Sequence, residues 1–293
     1  MWLRYAVMSG YIRWALNSHA WHPKQAEWTL ATQCVQPEEK ERIGKFYFKR
    51  DAKASMVGRL MIRKVVHLVT GIPYKEIQLG RTDKGKPFII NDLPWHCRHF
   101  EFNVSHQGEY VVLAAEAESL VGIDIMKLDT PRSTPVPDFL HTMRRQFTYE
   151  EMNLIKSSGQ EAHQLRTFYR LWCLKESFVK ALGIGIGFEV ERLNFDLVTP
   201  LLQENNIVTD TTLSVDGKLQ ADWKFEEYIV DNHCIAVARK SKNNTPLTQE
   251  ANKFKMLTFP ELVDGAVPLS EPDLNYWESF RTKSEDQFQT NQR

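Results

Sequence analysis

The sequence predicts an α+β fold, a pseudodimer of two similar halves in which helices pack on antiparallel sheets. Three recurrences, in chain order, carry this reading. PEEKERI, with Glu38, Glu39 and Ile43, returns 112 residues later as YEEMNLI, with Glu150, Glu151 and Ile155. At the same offset LMIRKVVHLVTGIP (60–73) meets WCLKESFVKALGIG (172–185), which aligns Gly71 with Gly183. At an offset of 125, NVSHQGEYVVLAA (103–115) meets YIVDNHCIAVARK (228–240). Each half therefore reads as an acid-started helix, a long helix stopped by glycine, and a closing hairpin, and a repeat of this kind governs every later assignment.

Each element has a local reason. Pro37 suits a first helical turn, where its missing N–H costs nothing, and Glu38 and Glu39 favour the positive end of the helix dipole. Thr148 followed by Glu151 has capping-box spacing. Phe168, Leu171, Trp172, Cys173 and Phe178 form an apolar face at helical spacing before Gly183 ends the run, so this helix should pack on a sheet, with Trp172 as a core anchor. Strands are expected over 100–104, 110–116, 121–126, 192–198 and 223–229. Asp216-Gly217 between TLSV and KLQ marks a two-residue hairpin turn. Pro131 to Pro137 holds three prolines and reads as an irregular connection. From Ser241 the composition turns polar, although FKMLTFPELV and a later Tyr-Trp pair could dock. The organisation expected is an N-terminal half over 1–118, a C-terminal half over 119–241 and a partly ordered tail over 242–293.

A chain of 293 residues with 42% hydrophobic residues can bury a sizeable core. Thirty-seven basic residues balance thirty-seven acidic ones, so no global field recruits nucleic acid or an anionic membrane, and any anion chemistry must come from local clusters. Cys34, Cys97, Cys173 and Cys234 stand far apart without a CxxC pair, which reads as four free thiols in a reducing compartment. Arg4 and Arg13 interrupt the apolar run a signal peptide needs, and no stretch reaches the length of a membrane span. The expectation is a cytosolic monomer.

Four strings carry chemistry. In WCLKESFVK, Glu176 and Lys180 are four residues apart and share one helix face, where they could reach one ligand or simply pair with each other. In VGIDI, Asp124 is a carboxylate inside an apolar strand, costly unless a cation meets it or it turns to solvent. Two acids without a histidine cage suit Mg²⁺. RTDKGKP surrounds a turn glycine, Gly85, with Arg81, Lys84 and Lys86, as a phosphate-holding loop or as a solvated hairpin. NVSHQG places Ser105 and His106 before a turn, while Arg42 in PEEKERIG could join them or pair along its own helix. Ser105 and His106 are no catalytic pair, because adjacent strand residues point to opposite faces. WHCRH lacks the second ligand pair that structural zinc requires.

Asp124 in VGIDI and Glu176 with Lys180 in WxxKESxxK, about fifty residues apart, resemble the signature of the 4′-phosphopantetheinyl transferases. The duplicated halves look like the surfactin-synthetase type. The resemblance spans about residues 5–240 and implies transfer of 4′-phosphopantetheine from coenzyme A, as co-substrate, to a serine of apo acyl or peptidyl carrier domains, with release of adenosine 3′,5′-bisphosphate. It implies acyl carrier domains of fatty acid synthase and of aminoadipate-semialdehyde-type enzymes as partners. Asp124 and Glu176 would hold Mg²⁺, and Asp124, Glu176 and Lys180 would be the catalytic set. Arg42, Arg81, Thr82, Asp83, Lys84, Gly85, Lys86, Asn103, Val104, Ser105 and His106, with the helix residues Glu176, Ser177, Phe178, Val179 and Lys180, would contact the coenzyme. Glu176, directly or through water, and a metal-bound water are both candidates for the base that activates the serine. Many relatives carry a third acid two residues after the strand aspartate, where this chain has Met126. The contrasting class is a non-catalytic module that binds coenzyme A or a carrier protein.

Overall fold

The computed structural model describes residues 11–131, 133–242 and 253–285. The first half runs β1 (Ile12–Asn17), α1 (Gln25–Gln33), α2 (Pro37–Gly44), α3 (Lys49–Thr70), a short hairpin of β2 (Leu79–Arg81) and β3 (Pro87–Ile89), and a long hairpin of β4 (Glu101–Gln107) and β5 (Tyr110–Glu116). The second repeats it: β6 (Ser119–Lys127), α4 (Val136–Met143), α5 (Tyr149–Ser157), α6 (Glu161–Leu182), then β7 (Leu193–Asp196), β8 (Thr212–Val215) and β9 (Lys218–Leu219), then β10 (Trp223–Val230) and β11 (His233–Ser241). Strand order repeats as well. The neighbours are β1-β5-β4 in one sheet and β6-β11-β10 in the other, all antiparallel.

The local signals have the expected outcomes. α3 and α6 are each 22 residues long, and each stops at a glycine in the left-handed region, Gly71 at φ 72° and Gly183 at φ 69°, where a side chain would be strained. Thr148 and Glu151 form the reciprocal cap of α5. Asp216 and Gly217 both have positive φ, as the primed hairpin turn requires. The irregular connection expected between Pro131 and Pro137 gives way to helix at Val136. Pro137 lies in the first turn of α4, whose Val136 and Leu140 are buried, and there a proline costs no hydrogen bond.

Two features departed further from the sequence pattern. β1 is buried at nearly every position, so it has no polar–apolar alternation to read. The tail does more than dock. β12 (Lys255–Met256) adds a parallel edge to β1, and α7 (Phe259–Val263) and α8 (Leu274–Arg281) bring Phe259, Leu262 and Phe280 into the core of the first half. Phe280 stacks on Trp28 with ring centroids 3.6 Å apart, and Phe259 stacks on Trp21 at 4.5 Å.

The two sheets meet through Val112, Ala114, Val121, Ile123, Ile125, Ile235 and Val237. Beside this apolar contact, four charges close a ring across the boundary. Arg13 reaches Glu116 at 2.6 Å, Glu116 reaches Arg239 at 2.8 Å, Arg239 reaches Glu226 at 3.0 Å, and Glu226 returns to Arg13 at 3.0 Å. All four side chains are buried. Such a ring leaves no charge uncompensated, whereas loss of any one member strands a buried charge at about 3–5 kcal/mol. It admits one register of the halves, and that register forms the cleft described next.

Candidate active site

The site begins with a close approach of α6 to β6. A Cβ built on Gly122 would lie 2.0 Å from the Ser177 carbonyl oxygen and 2.3 Å from the Ala181 nitrogen, so only glycine lets the strand touch the helix backbone. Two residues on, and therefore on the same face, Asp124 points toward α6. The rotation of α6 is set by Lys175, which is fully buried. Its Nζ donates to the Val190 and Leu193 carbonyls at 2.8 and 2.5 Å and pairs with Glu151 at 2.8 Å. With Lys175 held inward, Glu176 and Lys180 turn to the cleft.

There Lys180 Nζ donates to Asp124 Oδ1 at 2.5 Å and to Ser105 Oγ at 2.8 Å, and Ser105 Oγ donates to the same Oδ1 at 2.9 Å. The strand acid is thus met by a cation, and Lys180 bonds the strand acid, which lies on another element, as well as sharing a helix face with Glu176. Burial raises the Glu176 carboxyl above its usual range, the negative charge of Asp124 raises it further, and Lys180 acts in the opposite sense. Asp124 Oδ2 is buried with no hydrogen-bond partner. An orphaned carboxylate oxygen beside a second carboxyl is the donor set a hard divalent cation satisfies, so Asp124 and Glu176 fit the expected ligand pair. Met126, further along β6, packs on the core of the second half. Among the described residues no group of three or more His, Cys, Asp or Glu converges to hold a metal.

The cleft has a volume of about 530 Å³ and is lined from the first half by Lys84, Gly85, Lys86, Asn103 and Val104 and from the second by Glu176, Val179 and Lys180. The RTDKGKP loop is the β2–β3 turn. The Thr82 carbonyl accepts from the Gly85 N–H at 2.8 Å, and Thr82 Oγ1 accepts from the Lys86 N–H at 3.2 Å, so Thr82 shapes the turn. Asp83 is exposed. Lys86 extends across the boundary to the Ala181 carbonyl at 3.4 Å. Arg81 spans two groups, donating to the Gly85 carbonyl at 3.1 Å and to Glu39 at 2.8 Å.

Glu39 is the hub of a cationic cluster that the sequence reading only half identified. It accepts from Arg42 at 2.8 Å and faces Arg59 at 3.4 Å in addition to Arg81. Burial opposes the Glu39 charge, yet the three guanidinium groups outweigh it and hold the carboxyl below its usual value. Arg59 is pushed down to about 10 by burial, and its buried Nε has no partner. Three cations on one carboxylate leave an excess positive charge, which suits a phosphate. Arg59 was missed because it lies inside a helix whose buried face carries it among apolar residues. The available signal was Glu39 itself, aligned with the buried Glu151 at the repeat offset.

Not every residue assigned by resemblance faces the cleft. Ser177 is fully buried and bonded to the Leu174 carbonyl, and Phe178 packs on Trp223 in the core. His106 points away from Ser105, as strand alternation requires, and lines a separate hollow of about 320 Å³ with Arg50 and Asp51. Partial desolvation at the wall of this hollow, with the nearby charge of Lys180, lowers its pKa although the side chain remains exposed. Trp172 is a correction in the other direction. It stacks on Phe168 but remains half-buried and lines the cleft, because its position on α6 is one turn from Glu176. The four cysteines are buried free thiols. No helix among the described residues is long and apolar enough to cross a membrane.

Residues 19–118 match the family model described as "4'-phosphopantetheinyl transferase, N-terminal", and residues 120–238 match the "4'-phosphopantetheinyl transferase superfamily". The chain is 46% identical over 279 residues to the L-aminoadipate-semialdehyde dehydrogenase-phosphopantetheinyl transferase of Homo sapiens, covering 92% of this chain and 90% of that protein. The chain belongs to the 4′-phosphopantetheinyl transferases. The Xenopus laevis protein of the same description is 43% identical over 290 residues, covering 97% of this chain and 95% of its own. The 4'-phosphopantetheinyl transferase Sfp of Bacillus subtilis is 30% identical over 163 residues, covering 56% and 66%. The phosphopantetheinyl transferase described here is therefore an enzyme that moves phosphopantetheine from coenzyme A to carrier proteins. Its two family segments divide at the tight turn between β5 and β6.

Proposed function

We propose that this phosphopantetheinyl transferase works at the Asp124–Glu176–Lys180 cleft with Mg²⁺, acting on a carrier serine and releasing adenosine 3′,5′-bisphosphate. The observation that carries this is the orphaned Asp124 oxygen beside the raised Glu176 carboxyl, at a cleft whose other wall carries Lys84 and Lys86. A divalent ion bound by the two carboxylates would neutralise charge that develops on the pyrophosphate as it cleaves. Lys180 supplies a second positive charge at the same point, and the lysines of the β2–β3 turn together with the Arg42–Arg59–Arg81 cluster orient the coenzyme's phosphates.

The carrier serine needs a base, and Glu176 is the group we assign. Its place on the cleft wall, four residues before Lys180 on the same helix face, puts it beside the reacting groups, where it acts directly or through water. The partners we infer are acyl carrier domains of aminoadipate-semialdehyde-type enzymes and of fatty acid synthase, a reading supported by the names of the Homo sapiens and Xenopus laevis relatives for the first class and by family resemblance for the second. Action as a cytosolic monomer is supported by the four unpaired thiols and by the presence of both halves in one chain.

The experiment is mass spectrometry of an apo-acyl carrier protein after incubation with the protein, Mg²⁺ and coenzyme A. Glu176→Gln is expected to lower transfer by roughly 10²- to 10⁴-fold while coenzyme binding stays measurable. Wild-type transfer by that variant refutes the assigned base.

A further inference from the structure

β4 and β6 lie side by side at the boundary between the halves, yet they belong to different sheets and share no ladder. Three alternate side chains of β4 span the gap instead. Asn103 Oδ1 accepts from the Ile123 N–H at 3.2 Å, and Gln107 Oε1 accepts from the Lys127 N–H at 2.5 Å. Ser105, between them on the same face, reaches a side chain rather than the backbone, and that side chain is Asp124. Both Ser105 and Asp124 are buried, with 6% and 5% exposure.

A hydroxyl has one proton to give. Because Lys180 Nζ is itself a donor to Ser105 Oγ, the hydroxyl proton is committed to Asp124 Oδ1. Donation to a phosphate would require that bond to break. We propose that Ser105 is a positioning residue of the cation site: its hydroxyl, delivered from the first half, fixes the rotation of the Asp124 carboxylate in the second. This rests on the two-carboxylate reading of the cleft and goes beyond it by making the cation site depend on how the halves are registered. It also reassigns a residue that family resemblance attaches to the coenzyme.

The test separates the two assignments by measuring each ligand without the other. Binding of Mn²⁺ alone is followed by electron paramagnetic resonance, and binding of coenzyme A in EDTA by calorimetry, for the unmodified protein and for Ser105→Ala, Ser105→Thr and Asp124→Asn. Loss of one charge-assisted hydrogen bond is expected to weaken Mn²⁺ binding by roughly ten- to a hundred-fold in Ser105→Ala, with coenzyme binding close to that of the unmodified protein. Ser105→Thr keeps the hydroxyl and should recover most of the Mn²⁺ affinity. Thermal midpoints recorded on the same samples establish that each variant is folded. If Mn²⁺ binding is lost in Asp124→Asn but unchanged in Ser105→Ala, the cation reading stands and the positioning role is overturned. If Ser105→Ala instead weakens only the coenzyme, Ser105 is a phosphate contact. If the unmodified protein binds no Mn²⁺, the cation reading fails and the positioning role falls with it.

Discussion

Replacing Gly122 by alanine tests the geometry on which the whole site depends. The added Cβ would fall 2.0 Å from the Ser177 carbonyl oxygen, 2.3 Å from the Ala181 nitrogen and 2.8 Å from the Ala181 Cα. These are backbone atoms of α6, so no side chain can rotate away. Ordinary contact begins near 3.4 Å, and reaching it requires strand and helix to separate by about 1.4 Å, an overpacking that costs roughly 1–3 kcal/mol. The displacement falls at the active site, because Asp124 is two residues from Gly122 and Lys180 is three from Ser177. Moved by that amount, the 2.5 Å Lys180–Asp124 contact opens toward about 3.9 Å, outside hydrogen-bond range. Misplacement of catalytic groups by about 1 Å can cost about a hundred-fold in rate. The expected result for Gly122→Ala is therefore a lower thermal midpoint by circular dichroism together with a fall in carrier modification of about that size, read by mass spectrometry. Unchanged stability would refute the close approach. A lowered midpoint with unimpaired turnover would show that the separation of β6 from α6 does not govern the chemistry.

Arg59→Ala should raise the coenzyme A concentration needed for half-maximal rate by roughly ten- to a hundred-fold, the size of one lost hydrogen bond to a charged group; an unchanged KM would remove Arg59 from the phosphate cluster. Phe280→Ala should cost about 3–5 kcal/mol by denaturant unfolding, since its ring is buried against Trp28, and a loss below 1 kcal/mol would show that the tail merely rests on the first half. His233 links the turns of the two long hairpins through Glu109 at 2.9 Å. Burial holds its pKa below the usual value despite Glu109, with Lys127, Asp129 and Asp231 as the other nearby charges. Its contribution is thus present above about pH 6.5, where the unfolded side chain is neutral, and is lost as pH falls toward the depressed native value. Stability measured across pH 7 to 5 should fall less steeply in His233→Gln than in the unmodified protein, and parallel profiles would exclude His233 as the source.

The helix starts, the two glycine stops and the Asp216-Gly217 turn were legible because each depends on a few adjacent residues and on backbone preferences that neighbours elsewhere in the chain do not alter. The repeat was legible for a related reason, since two equivalent halves must satisfy the same local constraints twice. Asp124, Glu176 and Lys180 were identified because VGIDI and WxxKESxxK together resemble the transferase signature; an acid and a lysine four residues apart on a helix are too common to single them out alone. What could not be read was direction. Ser177 and Phe178 share the WCLKESFVK string with Glu176 yet face the core, and Trp172, assigned to the core, borders the cleft. Helix rotation is decided by Lys175, whose partners Val190, Leu193 and Glu151 come from other elements.

The linear order of residues by itself determined that this protein has two α+β halves and that one of them carries a pair of carboxylates with a lysine. It could not determine that Ser105 meets Asp124, that Arg59 completes a cationic cluster on Glu39, or that a polar-looking tail closes the first core. The first outcome depends on one docking of the halves, selected by sheet-to-sheet apolar contact and by the Arg13–Glu116–Arg239–Glu226 ring; the other two depend on packing around the first half. Charges so far apart in the chain compensate one another only when they are buried together, and that requirement exists only in three dimensions.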